Sequence, residues 1–201
     1  MTATIRDYRD DDEASWLRCR VLSFLGSAYF DDVKTQRPTF ENESIQLVAT
    51  VARPAQVRTP GTEQVVGILD LELWDDDGVA TATIDTIAVH PDHQRHGIAD
   101  ALLAEGLARL EAAGTTVLDA WTRQDAAATY WYVRNGFRVE EEYLHVYTGA
   151  EQAQDFAAPE GLSRPVTAFC HARLADEEQM RARYTRVYRC RQFTRPVRLS
   201  T

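Results

Sequence analysis

The stretch "AVHPDHQRHGIADALL", residues 88 to 103, joins the end of an apolar run to the start of a helical one. His90, His93 and His96 recur in it three residues apart, the last of them directly ahead of Gly97. Three readings compete. Histidines in a loop can meet at a metal, although Pro91 excludes a regular helix and no carboxylate or thiol pattern of the usual zinc kind flanks them. A surface loop can carry histidines that have no role. A phosphate cradle accounts for more of the residues. The first N–H groups of a helix have no intrahelical partner, and the helix dipole favours an anion there. Gly97 lets a ligand approach the backbone closely, Ala99 keeps the next turn small, and Gln94, Arg95 and His96 add donors.

Downstream, Ile98, Leu102, Leu103, Leu107 and Leu110 recur at helical spacing, and Gly114 supplies a stop. Residues 115–122 read as a strand, 125–137 as a short helix ending at Gly136, and 137–147 as a further strand. Upstream, 44–52 and 63–74 are β-rich, and the segment 54–61 between them reads as a loop. The turn at 75–78 makes 81–89 the hairpin partner of 63–74. Residues 4–9 alternate like a short strand. Residues 10–30 read as a helix opened by a capping Asp, with Trp16, Leu17, Val21 and Leu25 at near-helical spacing and a break near Gly26. The order predicts an α+β fold with a mixed sheet.

Residues 1–147 make up the expected domain. Residues 148–201 read as a C-terminal extension, packed on the same domain or at a dimer contact. It opens with a polar loop, continues with a strand candidate, "PVTAFCHARL", and ends in a segment where helix gives way to strand at an unresolved point. Seven arginines fall between 181 and 198. They read as a nucleic-acid arm or as solvated charge on a final edge strand or dimer contact. The acidity of the whole chain favours the second.

The net charge of −9 over 201 residues argues against a general nucleic-acid binder. No apolar run approaches the roughly 18 residues that span a bilayer. The acidic N-terminus has no apolar signal region, so a cytoplasmic protein without membrane attachment is expected. Cys19, Cys170 and Cys190 are odd in number and far apart, as buried free thiols would be. Lys34 is the only lysine, and Asp is abundant. GC-rich coding or a salt-adapted proteome would each produce that bias.

With these elements in place, "AVHPDHQRHGIADALL" resembles the acetyl-CoA loop of the GNAT superfamily of N-acetyltransferases. Its Q/R-x-x-G-x-G/A pattern falls on Gln94, Arg95, His96, Gly97, Ile98 and Ala99, with Ala99 where Gly is more frequent. "YWYVRNGF", residues 130 to 137, resembles the family's second signature. The resemblance covers roughly residues 3 to 147 and explains the tail poorly. It implies a mixed, mostly antiparallel sheet splayed after the fourth strand and flanked by helices. It implies acetyl-CoA as co-substrate, with no metal. Ile87, Ala88 and Val89 would run along the pantetheine, and residues 94–99 would hold the pyrophosphate.

By the same resemblance Tyr132 is the acid that protonates the leaving thiolate, or else a core residue beside Tyr130 and Trp131. Asp85 stands where many members carry a base, and strand parity puts it on the face of Ile87 and Val89. It is otherwise an exposed ion-pair partner. Asp125 touches the CoA end of the site or only caps a helix. The implied activity is transfer of acetyl to a primary amine, on a small molecule or a peptide N-terminus, by direct attack on the thioester. The alternative is a non-catalytic CoA-binding sensor on the same scaffold. Asp31, Asp32, Glu140, Glu141 and Glu142 would form an acidic mouth that attracts cationic amines, or a merely solvated charged face. A homodimer is compatible with all of this.

Overall fold

The structure is a computed structural model that describes residues 3–52 and 63–198. The loop expected at 54–61 lies outside the described residues. One mixed sheet of eight strands organises the chain: β1 (Thr4–Asp7), β2 (Ser44–Ala52), β3 (Glu63–Asp76), β4 (Val79–Val89), β5 (Val117–Arg123), β6 (Arg138–Thr148), β7 (Ala168–Ala172) and β8 (Arg186–Pro196). Their order is β1-β2-β3-β4-β5-β8-β6-β7. Every pairing is antiparallel except β4 with β5. The helices are α1 (Glu13–Phe24), α2 (Ile98–Ala112), α3 (Ala126–Arg134) and α4 (Glu177–Arg183).

The β3–β4 hairpin forms because Asp77 and Gly78 both take positive φ, 50° and 88°, the twist that a two-residue turn needs. On one face of the sheet, Ile98, Leu102, Leu103 and Leu110 of α2 pack on Leu69 and Leu71 in the main core. The other face buries Trp16 and Cys19 of α1 against Val48, Val65 and Ile68. The helix expected over 10–30 is therefore shorter and turned. Its buried side chains are Ser15, Trp16, Cys19 and Arg20, while Leu25 lies past its end and is 65% exposed. No aspartate side chain caps it. Asp12 instead accepts both Arg6 guanidinium nitrogens, at 2.7 and 2.9 Å, and the Arg9 N–H.

The arginine-rich tail is not an edge strand. β8 lies between β5 and β6, with Phe193 fully buried in the main core. The helix gives way to strand between Arg183 and Arg186. Insertion places seven arginines in or beside a central strand, and the fold answers each. Arg181 and Arg189 share Glu177, Arg183 meets Asp155, Arg186 meets Asp31, Arg191 meets Glu142 and Arg198 meets Glu111. Arg195 is buried and donates to the Asn135 and Pro196 carbonyls. The same pairings occupy three of the five residues of the expected acidic mouth. Asp31 and Glu142 are bound by these arginines, and Asp32 by Arg20 at 2.7 Å. All three cysteines are free; Cys19 and Cys190 are buried, and Cys170 only partly.

Candidate active site

The sheet opens at one point. β4 pairs with β5 only from Thr81 to Ile84, opposite Val117 to Ala120. Beyond Ile84 the two parallel strands part, and β4 continues to Val89 with β3 alone beside it. A cleft of about 360 Å³ fills the gap. Ile87, Ala88 and Val89 line it from β4, Gln94 and Ala99 from the loop and the start of α2, and Asp125 and Tyr132 from the start and body of α3.

The loop at the cleft's end is shaped by backbone conformation. His90 is buried, and its Nδ1 accepts the Asp92 N–H at 3.2 Å, which caps the single 3-10 turn Pro91–His93. Burial lowers the His90 pKa, keeping the ring neutral and fit to accept. His96 turns its Nδ1 to the His93 carbonyl at 3.3 Å. Among the described residues, no group of three His, Cys, Asp or Glu side chains is placed to hold a metal. Arg95 and Gly97 both adopt the left-handed conformation, with φ 62° and 76°. The Ala101 N–H is the first to bond back, to the Gly97 carbonyl at 2.9 Å, so the N–H groups of Ile98, Ala99 and Asp100 have no intrahelical acceptor. A Cβ on Gly97 would meet nothing within 4 Å. This is an open, donor-rich turn at a helix N-terminus, and it can hold an anion.

An acidic residue in that first turn would oppose an anion, and Asp100 is there. The fold draws it away. Its carboxylate accepts Trp131 Nε1 at 2.7 Å, Asn135 Nδ2 at 3.3 Å and the Arg134 guanidinium. Burial works to raise its pKa, and these three bonds outweigh it and hold the carboxyl below the usual range. The Ile98 side chain does not face the cleft. It packs into the core against Gly67, where only its backbone remains available to a ligand. Arg95, His96 and Gly97 stand beside the cleft rather than in its lining. Asp125 caps α3 through Oδ1 to the Ala128 N–H at 2.7 Å and lines the cleft as well.

Tyr132 is both core and cleft wall. Its ring stacks on Phe193 at 4.8 Å and meets Phe137 edge-on at 5.1 Å. Burial, then the nearby Tyr29 and Asp119, raise its pKa, so it is a neutral phenol at ordinary pH. Asp85 lies in a β-bulge. Asp70 pairs with Thr86 and Leu71 with Ile84, which leaves Asp85 as the extra residue. The parity argument therefore fails: Ile84 and Ile87 both pack toward the α2 core, while Asp85 bonds the Thr86 hydroxyl at 2.9 Å and acts on Asp70 across the bulge. Asp70 is fully buried beside Arg37 at 3.0 Å, and burial pushes its carboxyl up to about 6.

Several lining residues carried no sequence motif. Arg20 reaches from the buried face of α1 to hold the Asp32 carbonyl and carboxylate, both at 2.7 Å, and so ties the chain after α1 over the cleft. Tyr29 accepts the Arg123 N–H at 2.7 Å and forms part of the wall. Trp121 projects from β5 beside it, 37% exposed. The one signal in the sequence was a large aromatic residue, Trp121, between the small residues Ala120 and Thr122 of a strand.

Residues 48–139 match the family model of the acetyltransferase (GNAT) domain. Over that span the chain is similar to a GNAT domain. The matched span runs from β2 to the start of β6 and includes the splay, the loop and Tyr132. Among curated proteins, none matches the sequence significantly. Solved structures share the fold at low identity. The putative acetyltransferase yncA from Salmonella typhimurium, with acetyl-CoA, is 16% identical over 100% of this chain and 97% of its own, with a TM-score of 0.56. NAA60 from Arabidopsis thaliana, with a bisubstrate analogue, is 14% identical over 97% and 98%, with a TM-score of 0.55. The paiA N-acetyltransferase from Thermoplasma acidophilum, with coenzyme A, is 15% identical over 70% and 92%, with a TM-score of 0.53. The splayed GNAT sheet is thus this protein's architecture, with β7 added outside β6.

Proposed function

We propose that this GNAT domain transfers the acetyl group of acetyl-CoA to a primary amine, on a small molecule or a peptide N-terminus. The observation that carries the reading is the cleft itself. The unpaired edge of β4 from Asp85 to Val89 leads directly to the donor-rich start of α2. The backbone of Ile87, Ala88 and Val89 suits the amide-bearing pantetheine arm. The N–H groups of residues 97–100, with Arg95 and His96 beside them, suit the pyrophosphate.

The amine nitrogen attacks the thioester carbonyl, the N–C bond forms and the C–S bond breaks. Asp85, directly or through a water, takes the proton that the ammonium must lose. Tyr132 donates its phenolic proton toward the departing sulfur. A CoA thiolate, with a pKa of about 8.5 by analogy with Cys, is a weaker base than a buried phenolate. Tyr132 therefore eases departure by hydrogen bonding, and the thiolate does not depend on full protonation.

The commitment of all seven tail arginines within the fold supports a small acceptor over a nucleic acid. Among the described residues no helix is long and apolar enough to cross a membrane. Incubating the protein with acetyl-CoA and a panel of amines and short peptides, and following free thiol and product mass, tests the assignment. A protein that binds acetyl-CoA but releases no CoA with any amine or peptide of the panel is a sensor, and the catalytic reading is then wrong.

A further inference from the structure

The cleft extends beyond the acetyl-CoA notch, and its outer wall has a chemistry of its own. Among the described residues, no helix packs on the face of β5, β8, β6 and β7 opposite α3. Trp121 stands there with Tyr143 at 5.3 Å, and Tyr143 continues to His171 at 4.6 Å. The loop after α1 closes the other side with Tyr29, itself packed on Phe24 at 5.4 Å. Phe24, Tyr29 and Trp121 make the acceptor side of the cleft largely aromatic.

The charges around this wall are distributed unequally. Asp31 is bound by Arg186 through two contacts of 2.7 Å and approached by Arg123 at 3.6 Å. Asp32 is held by Arg20, and Asp125 is spent on the cap of α3. Among the cleft carboxylates, Asp85 alone meets neither an arginine nor a helix N-terminus, and its one bond is to the Thr86 hydroxyl. Several aromatic faces are already taken by guanidinium groups. Arg123 sits 4.4 Å from the Tyr29 ring centroid, and Arg186 sits 3.8 Å from that of Tyr147 and 4.6 Å from that of Phe30. Among the described residues, no guanidinium sits over Trp121 or Tyr143. One ammonium therefore finds one free carboxylate. A second ammonium farther out would meet two arginines that share a single aspartate.

We propose that the acceptor is a monoamine bearing an aryl group, its ammonium on Asp85 and its ring on Trp121, which Tyr143 backs. This rests on the acetyl-transfer reading for its chemistry, but the recognition it describes can be measured without turnover. The aromatic wall rewards a flat, polarisable group beyond what area alone supplies. The arginines disfavour polyamines.

The test is calorimetric binding of 2-phenylethylamine, hexylamine and spermidine to the CoA-saturated protein, with acetylation of the same amines followed by mass. The aryl amine should bind about tenfold more tightly than hexylamine, a ratio in the range of one aromatic pair with its desolvation, and spermidine should bind weakest. Trp121→Ala should collapse the aryl-to-alkyl ratio toward unity, and Trp121→Phe should keep most of it. Trp121→Leu serves if the alanine variant fails to fold by circular dichroism. Equal or tighter binding of hexylamine or spermidine, no binding of any of the three, or a ratio unchanged in Trp121→Ala or Trp121→Leu overturns the proposal. Aryl-selective binding without acetylated product would instead refute acetyl transfer and leave the recognition standing.

Discussion

Replacing Gly97 by alanine isolates the proposed phosphate cradle from the fold, because the chain supplies its own control. Gly97 and Gly114 flank α2 with nearly the same backbone, φ 76° and 80°, and a Cβ on either meets nothing within 4 Å. In the free protein, then, neither substitution creates a clash. What remains is left-handed strain, about 1–2 kcal/mol for an L-residue. For a chain of this size each kcal/mol lowers Tm by about 2–4 °C, so both variants should lose about 2–8 °C. Their ligand affinities should diverge. The empty space over Gly97 is where an anion on the α2 N–H groups would sit, and a methyl group there pushes it away. A charge-assisted hydrogen bond contributes about 1.5–3 kcal/mol, so losing one weakens acetyl-CoA by about 10- to 150-fold. Gly114→Ala, at the far end of the helix, should leave affinity within about twofold, as distant sites do. Calorimetry gives the affinities and thermal denaturation the stabilities. A folded Gly97→Ala with wild-type affinity, or an equal loss in Gly114→Ala, would refute the cradle.

Tyr132→Phe keeps the stacked ring and removes a hydroxyl that bonds no other described residue, so turnover should fall by at least ~10-fold while Tm barely moves. Wild-type turnover on the true acceptor would leave Tyr132 a packing residue. Asp85→Asn should lower kcat/KM by at least ~10-fold and flatten the acidic limb of the pH–rate profile; an unchanged limb would remove Asp85 from the proton path. Asp70→Asn should change the pH dependence of stability. The carboxyl is raised by burial from 3.8 to about 6, so its cost is absent below about pH 4, grows as pH rises, and is complete above about pH 6, roughly 3 kcal/mol in all. His145, pushed down to about 4 by burial, Arg123 and His171, has the opposite sign: as a neutral ring it adds stability as pH rises from about 4 to 6.5. In urea titrations across that window the wild type should stay comparatively flat and the variant should gain stability with pH. Parallel curves would show that Asp70 does not carry the shift.

The local parts of this protein were legible in its sequence. The loop 90–99, the glycines that bound α2 and the Asp77–Gly78 hairpin each depend on neighbours within a few residues, so spacing and turn chemistry suffice to read them. The splay after β4 followed once the loop was recognised, and Tyr132 lines the cleft that it opens. Periodicity could not place β8, because a central strand and an edge strand share the same alternation, and only pairing with both β5 and β6 separates them. Strand parity misled at Asp85 because a bulge shifts the count by one, and the bulge exists only in the register with β3. The pairing of Asp31, Asp32 and Glu142 was hidden for a similar reason. Charge along the chain does not reveal that Arg186 reaches Asp31 across 155 residues, or that Arg20 holds Asp32. Residues near one another in sequence fixed the donor-rich turn at the start of α2. The outer wall of the cleft is built from α1, the chain after it, β4 and β5, and its form and charge were decided only where these distant segments meet, because pairing and ion-pair formation belong to the folded surface.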